Sequence, residues 1–106
     1  MTATQAARLA GFRAQLGVRG HRLTLQPDGP DLPALLQPAS DEKGEYQLSE
    51  ETTVTDIASI LREDVGALAL VPGVILAEGP AQYRVVKVED HPVDVALRLH
   101  CEAVHL

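Results

Sequence analysis

From Val95 to Ala103 every second residue is apolar. Val95, Leu97, Leu99, Cys101 and Ala103 alternate with a set that includes Arg98, His100 and Glu102. Only extended backbone puts residues of period two on one side, so the stretch predicts a strand with a buried face and a wetted one, His100 on the wetted face. Just upstream, Tyr83 to Val88 is rich in β-branched and aromatic residues, and Glu89-Asp90-His91-Pro92 supplies turn chemistry between the two. A hairpin is expected there. Val74-Ile75-Leu76, bounded by Pro72-Gly73 and Gly79-Pro80, predicts a third and more deeply buried strand delivered by turns at both ends.

The first half is more varied. Thr2 or Thr4 can cap a helix running to about Leu16, with Leu9, Phe12 and Leu16 on one face and Gly17 as its expected stop. Arg19 to Gln26 then alternates as the first strand, His21, Leu23 and Leu25 sharing a face. Pro27 to Asp31 is a turn by composition. Pro33 confines Leu32–Gln37 to a sheet edge or to the start of a strand, because proline brings no ladder donor. Pro38 to Ser49 offers little apolar surface to bury, so an exposed loop, mobile over about 38–51, is expected. Thr52 to Leu61 predicts a strand that Arg62 to Gly66 ends as a turn. The fold expectation is mainly β within the α+β class. A short helix, 2–16, would precede a small antiparallel β-barrel or sandwich over 19–106, together a single domain spanning 1–106.

Composition fits that expectation. The 106 residues are 45% hydrophobic and 23% charged, a balance that suits one soluble domain. Phe12, Tyr46 and Tyr83 are the only aromatics and tryptophan is absent, which argues against a stacking platform for bases or sugars. Cys101 is the sole cysteine, so no internal disulfide forms and a reducing compartment suits the chain. Thr2 to Arg8 has no apolar stretch of the signal-peptide kind, and Val65 to Ala77, the longest uncharged run, falls short of the ~20 residues a spanning helix needs. No membrane partner is expected.

The net charge of -6 is unevenly spread. Residues 1–27 carry Arg8, Arg13, Arg19 and Arg22 and no acid, whereas residues 28–66 are crowded with Asp and Glu against only Lys43 and Arg62. An acidic total disfavours tight binding to a phosphate backbone. Opposite poles suit head-to-tail contact between copies, so Arg8, Arg13, Arg19, Arg22, Glu50, Glu51 and Asp56 are the candidate subunit-interface residues.

Catalytic and metal chemistry find no foothold in the pattern. His100, Cys101 and His105 cluster in sequence, but on a strand His100 points away from Cys101 and His105, and no Cys-x-x-Cys or His-x-x-x-His pair accompanies them. Cys101 reads as a small core residue. There is no Gly-x-Ser-x-Gly elbow and no phosphate-cradling glycine loop, and the carboxylates of 41–51 read as a hydrated loop. No catalytic residue, metal or cofactor is expected.

Several short motifs carry a resemblance when their order is taken together. These are Gly20-His21-Arg22-Leu23-Thr24-Leu25, Arg62-Glu63-Asp64-Val65, Leu70-Val71-Pro72-Gly73 leading into Val74-Ile75-Leu76, Gly79 before Tyr83-Arg84-Val85, Val88 before a polar turn, and Leu97 to Glu102. The chain resembles the head-completion proteins of tailed bacteriophages, also called head-closure, stopper or head-tail joining proteins. That resemblance implies a non-enzymatic virion component of phage or prophage; the alternatives are a tail-completion or adaptor protein of the same neck, or a small β-barrel protein-interaction domain outside phage. Copies would form a ring at the neck, assembled in the host cytoplasm and contacting the portal or adaptor protein, the tail proteins and, by proximity only, the packaged DNA. Asp41, Glu42, Lys43, Gly44 and Glu45 would form a loop that projects to the channel or orders on assembly.

Overall fold

The helix forms where the chain can satisfy its own first amides. The fold is described from a computed structural model covering residues 2–40 and 42–104, in which α1 spans Ala3–Arg19. Thr2 Oγ1 accepts the Gln5 amide at 3.1 Å while Gln5 Oε1 accepts the Thr2 amide at 3.0 Å, a reciprocal cap. The helix continues past Leu16 and through Gly17, because one interior glycine costs only about 1 kcal/mol against alanine. It stops at Gly20, whose amide bonds Leu16 O at 3.0 Å and whose backbone lies so close to that turn that a Cβ would stand 2.3 Å from the Leu16 oxygen. Gln5, Leu9, Phe12 and Leu16 are the half-shielded residues of α1, so the expected stripe docks on the barrel, but no helix residue is fully buried.

Six strands then close an antiparallel barrel in the order β1-β2-β5-β8-β7-β6. They are β1 (His21–Leu25), β2 (Asp31–Pro38), β5 (Asp56–Leu61), β6 (Ile75–Glu78), β7 (Ala81–Glu89) and β8 (Ala96–Val104). Two short strands, β3 (Tyr46–Gln47) and β4 (Thr53–Val54), pair with each other apart from the barrel. Leu23, Ala34, Ile60, Leu76, Val85, Leu99 and Cys101 are all 0% exposed and fill the interior, with Val65 and Leu70 joining from the segment after β5. The barrel expectation therefore holds, as does the inward register of Leu97, Leu99 and Cys101.

Several local expectations are refined, first the strand expected over Thr52–Leu61, which is divided at Thr55 into β4, paired with β3, and β5 of the barrel. The strand over Leu32–Gln37 takes the second of its two expected settings, since β2 has neighbours on both sides and Pro33 stands near its start. Pro33 is accommodated because β5 joins β2 only from Leu35 onward, leaving one strand partner at the proline itself. Arg62–Val65 is a single helical turn, α2, ended by the Gly66 amide on Arg62 O at 3.0 Å. From there the Arg62 guanidinium clasps the β7–β8 turn, donating to Asp94 O at 2.9 Å and His91 O at 2.6 Å and pairing with Asp90 at 2.5 Å. The polar stretch after β2 contains β3 and reverses into β4. Leu48 N donates to Thr52 O at 2.9 Å across that reversal. We refer to the β3–β4 unit as the flap.

One irregularity decides what the flap meets. On β7 the ladder to β8 pairs Val85 with Cys101 and Lys87 with His100, so Val86 is an extra residue, a β-bulge. The bulge lets Val85 and Val88, three positions apart, both pack toward the core, and it turns Lys87 and Glu89 to the outer surface. A regular ladder would have sent Glu89 inward. Between β6 and β7, Gly79 has φ +57 at the first position of a two-residue turn, where an L side chain is strained.

Candidate functional site

On the outer wall of β8, His100 is only 5% exposed, although strand alternation assigned it to water. It sits opposite Ile57 of β5, and the flap covers it. Val54 of β4 and Ile57 of β5 are also buried and lie outside the barrel's central cluster, Ile57 on the outer face beside His100. A side chain on the wetted face of a strand is buried only when another segment lies over it. That segment starts at Tyr46, inside the stretch whose composition pointed to a free loop.

His100 is held from two sides. Tyr46 Oη lies 2.5 Å from His100 Nδ1, and Glu89 Oε1 meets His100 Nε2. A carboxylate can only accept, so Nε2 carries the proton that faces Glu89; in the neutral ring Nδ1 then accepts and the Tyr46 hydroxyl donates. The two rings also meet edge to face, with centroids 5.7 Å apart. The second oxygen of Glu89 faces His91 Nε2 at 3.5 Å. The hydrogen bond from His100, opposed by burial and helped by the His100 and Arg98 charges, holds the Glu89 carboxyl below its ordinary range. Burial first, then the Glu89 charge, pushes the Tyr46 hydroxyl up, with Arg98 opposing.

A carboxylate, an imidazole and a hydroxyl in line have the outline of a nucleophilic relay, yet the electrostatics run the other way. Burial and the Glu89 charge hold the Tyr46 proton more tightly than in free tyrosine. The arrangement acts as a latch that fixes the flap to β8 and β7. Among the described residues no three His, Cys, Asp or Glu side chains gather to hold a metal. Cys101 faces the barrel interior and His100 the outside, while His105 lies outside the described residues.

The candidate interface residues divide into two groups. Arg8 and Arg13 pair within their own chain, Arg8 with Asp94 at 3.6 Å and Arg13 with Glu63, and these contacts help seat α1 on the barrel. Arg19 donates to Gln15 Oε1 at 2.9 Å, and Arg22 is exposed on the outer face of β1; among the described residues neither has a carboxylate partner. Glu50 and Glu51 are exposed at the tip of the flap, and Asp56, half-buried at the start of β5, accepts from Thr55 Oγ1 at 2.8 Å. Of the loop candidates, Glu42, Lys43 and Glu45 are exposed and Gly44 takes φ +74, while Asp41 lies outside the described residues. Of the latch residues, Tyr46 and Glu89 were not candidates from sequence, and His100 was weighed only as a metal ligand. The doublet Val85-Val86, which breaks the alternation before Val88, was the available signal for the bulge that brings Glu89 to His100.

No protein-family model matches the chain, and no curated protein shows significant similarity to it. No helix among the described residues is long and apolar enough to cross a membrane.

Proposed function

We propose that the protein is a structural, non-enzymatic component of a tailed-phage or prophage neck, where copies form a ring that closes the DNA-filled head and joins the tail. The observation that carries this reading is the order of the motifs resembling head-completion proteins, together with where each falls in the barrel. Gly20-His21-Arg22-Leu23-Thr24-Leu25 opens β1, the Leu70–Gly73 corner leads into β6, Gly79 makes the turn to β7, and Leu97 to Glu102 lies within β8.

Two physical features support it. The acidic total would keep packaged duplex from adhering to the wall of an exit channel. A closed barrel spends its backbone hydrogen bonds internally, so side chains and the inserted flap are left to meet the portal or adaptor protein on one side and tail proteins on the other. The protein belongs in the virion neck, after assembly in the host cytoplasm, with DNA near it but not read by sequence.

Deleting the gene from its phage or prophage tests the reading. Heads that leak DNA and fail to accept tails, restored by the gene supplied in trans, are the expected outcome. Full infectivity after deletion would overturn it.

A further inference from the structure

Val18, 89% exposed, and Leu48, 40% exposed, are among the few large apolar side chains that the fold leaves in water, and each lies inside one of the charged poles. Val18 stands at the end of α1 beside Arg19, one short step from Arg22 on β1. Leu48 lies in the flap between Glu45 and the Glu50-Glu51 tip, all exposed and without ion-pair partners among the described residues. A basic patch with an apolar centre and an acidic patch with an apolar centre are complementary surfaces.

Within one chain they do not pair: among the described residues Arg19 and Arg22 form no ion pair with Glu45, Glu50 or Glu51, and the latch holds Tyr46 on β8, three strands from β1 in either direction around the barrel. A two-fold dimer that paired either patch with its own copy would bring like charges together. A contact of the acidic patch of one copy with the basic patch of the next satisfies both, and with the latch and the basic patch on different sides of the barrel it repeats from copy to copy rather than closing as a reciprocal pair. The latch adds preorganisation: Tyr46 is already fixed on His100, so less chain entropy is lost when the tip docks.

We propose that the flap of one copy docks Leu48, Glu45, Glu50 and Glu51 onto Val18, Arg19 and Arg22 of the next, a heterologous contact that repeats from copy to copy. The proposal rests on the neck-ring reading for what the contact builds. The contact itself is a property of the isolated protein, weak and screened by salt.

Cross-linking the purified full chain at low ionic strength tests it. Val18→Cys and Leu48→Cys are made as separate variants and treated with a short bismaleimide. The native Cys101 is 0% exposed and burial pushes its thiol up to about 12, so it stays unreactive at neutral pH. A mixture of the two variants should give a heterodimer, each variant alone should stay monomeric, and the double variant should give a ladder. Adding Arg19→Glu/Arg22→Glu to the Val18→Cys chain should cut the yield about tenfold or more, and Glu50→Arg/Glu51→Arg on the Leu48→Cys chain should restore it. Homodimers from either single variant, no cross-link in the mixture, or no rescue by the paired reversal would overturn the contact. A positive cross-link alongside an infective deletion strain would keep the contact and remove the neck assignment, so the two failures are told apart.

Discussion

The barrel interior and the patch beneath the flap are both dry, but they are built on different terms. Inside, Leu23, Ile60, Leu76, Val85 and Leu99 are sealed by the strand walls together with Val65 and Leu70, and no charged group is in the cluster. At the flap, the buried Val54 of β4 pairs with Tyr46 and the buried Ile57 of β5 with His100, and the tyrosine, the histidine and Glu89 satisfy one another. The interior depends on area removed from water and responds little to pH. The outer patch depends on hydrogen bonds whose partners change charge, so its strength is tied to conditions.

The sharpest way to break that contrast is to cut into each region and compare unfolding free energies. Leu99→Ala leaves a cavity in the sealed interior and should cost about 2 to 5 kcal/mol, as should Leu97→Ala at the lower end, whereas Arg98→Ala on the outer face should cost well under about 1 kcal/mol. Equal losses at the three positions in denaturant titrations would mean that β8 is in the wrong register.

Next in size is Tyr46→Phe, which keeps the ring over His100 but removes the hydroxyl. With Nδ1 left buried and unpaired the loss should be about 1 to 3 kcal/mol, accompanied by faster amide exchange in β3 and β4 and unchanged exchange in β8. Uniformly faster exchange across the barrel would show that flap and interior form one cooperative unit and would erase the distinction.

A smaller effect separates the regions by pH. Glu89 has its carboxyl lowered in the folded state, so its contribution is complete above the ordinary value of 4.5 and is lost as pH falls through the lower folded value. Tyr46 is raised, so its contribution is complete below 10.0 and is lost as pH rises through the higher folded value. Glu89→Gln should therefore flatten part of the acid limb of the stability profile and Tyr46→Phe part of the alkaline limb, while Leu99→Ala lowers the whole curve without reshaping either.

The smallest effect belongs to the seating of α1. The Arg8–Asp94 pair spans 3.6 Å between half-exposed side chains, so Arg8→Ala should cost between about 0 and 1 kcal/mol, and less at high salt. A loss as large as that of Tyr46→Phe would mean that the helix is integral to the fold.

What could be read from the chain follows the same division. The inward registers of β1 and β8 were legible because one barrier, the interior, sets their period, and the capped start and apolar stripe of α1 were legible because both are local. His100 was misplaced because alternation records which side of a sheet a residue occupies and not what later covers that side. Tyr46 was hidden because one aromatic among Asp41 to Glu51 does not change the local composition, and its partners come from strands far along the chain. The helix outran Gly17 because the decisive feature, the close approach of Gly20 to Leu16, is geometric. Pro33 marked the start of β2, one of its two expected places, because its missing donor is tolerated where β5 has not yet joined.

The bulge at Val86 has one more implication, for the length of the gene product. Because Val86 has no opposite number, removing its codon leaves Val85 facing Cys101, Lys87 facing His100, Val88 facing Leu99 and Glu89 facing Arg98. Elsewhere in a paired strand, losing one residue slides everything beyond it to the wrong side of the wall. At Val86 the same loss only straightens the ladder, so this is where the barrel can shorten by a single residue and keep every neighbour.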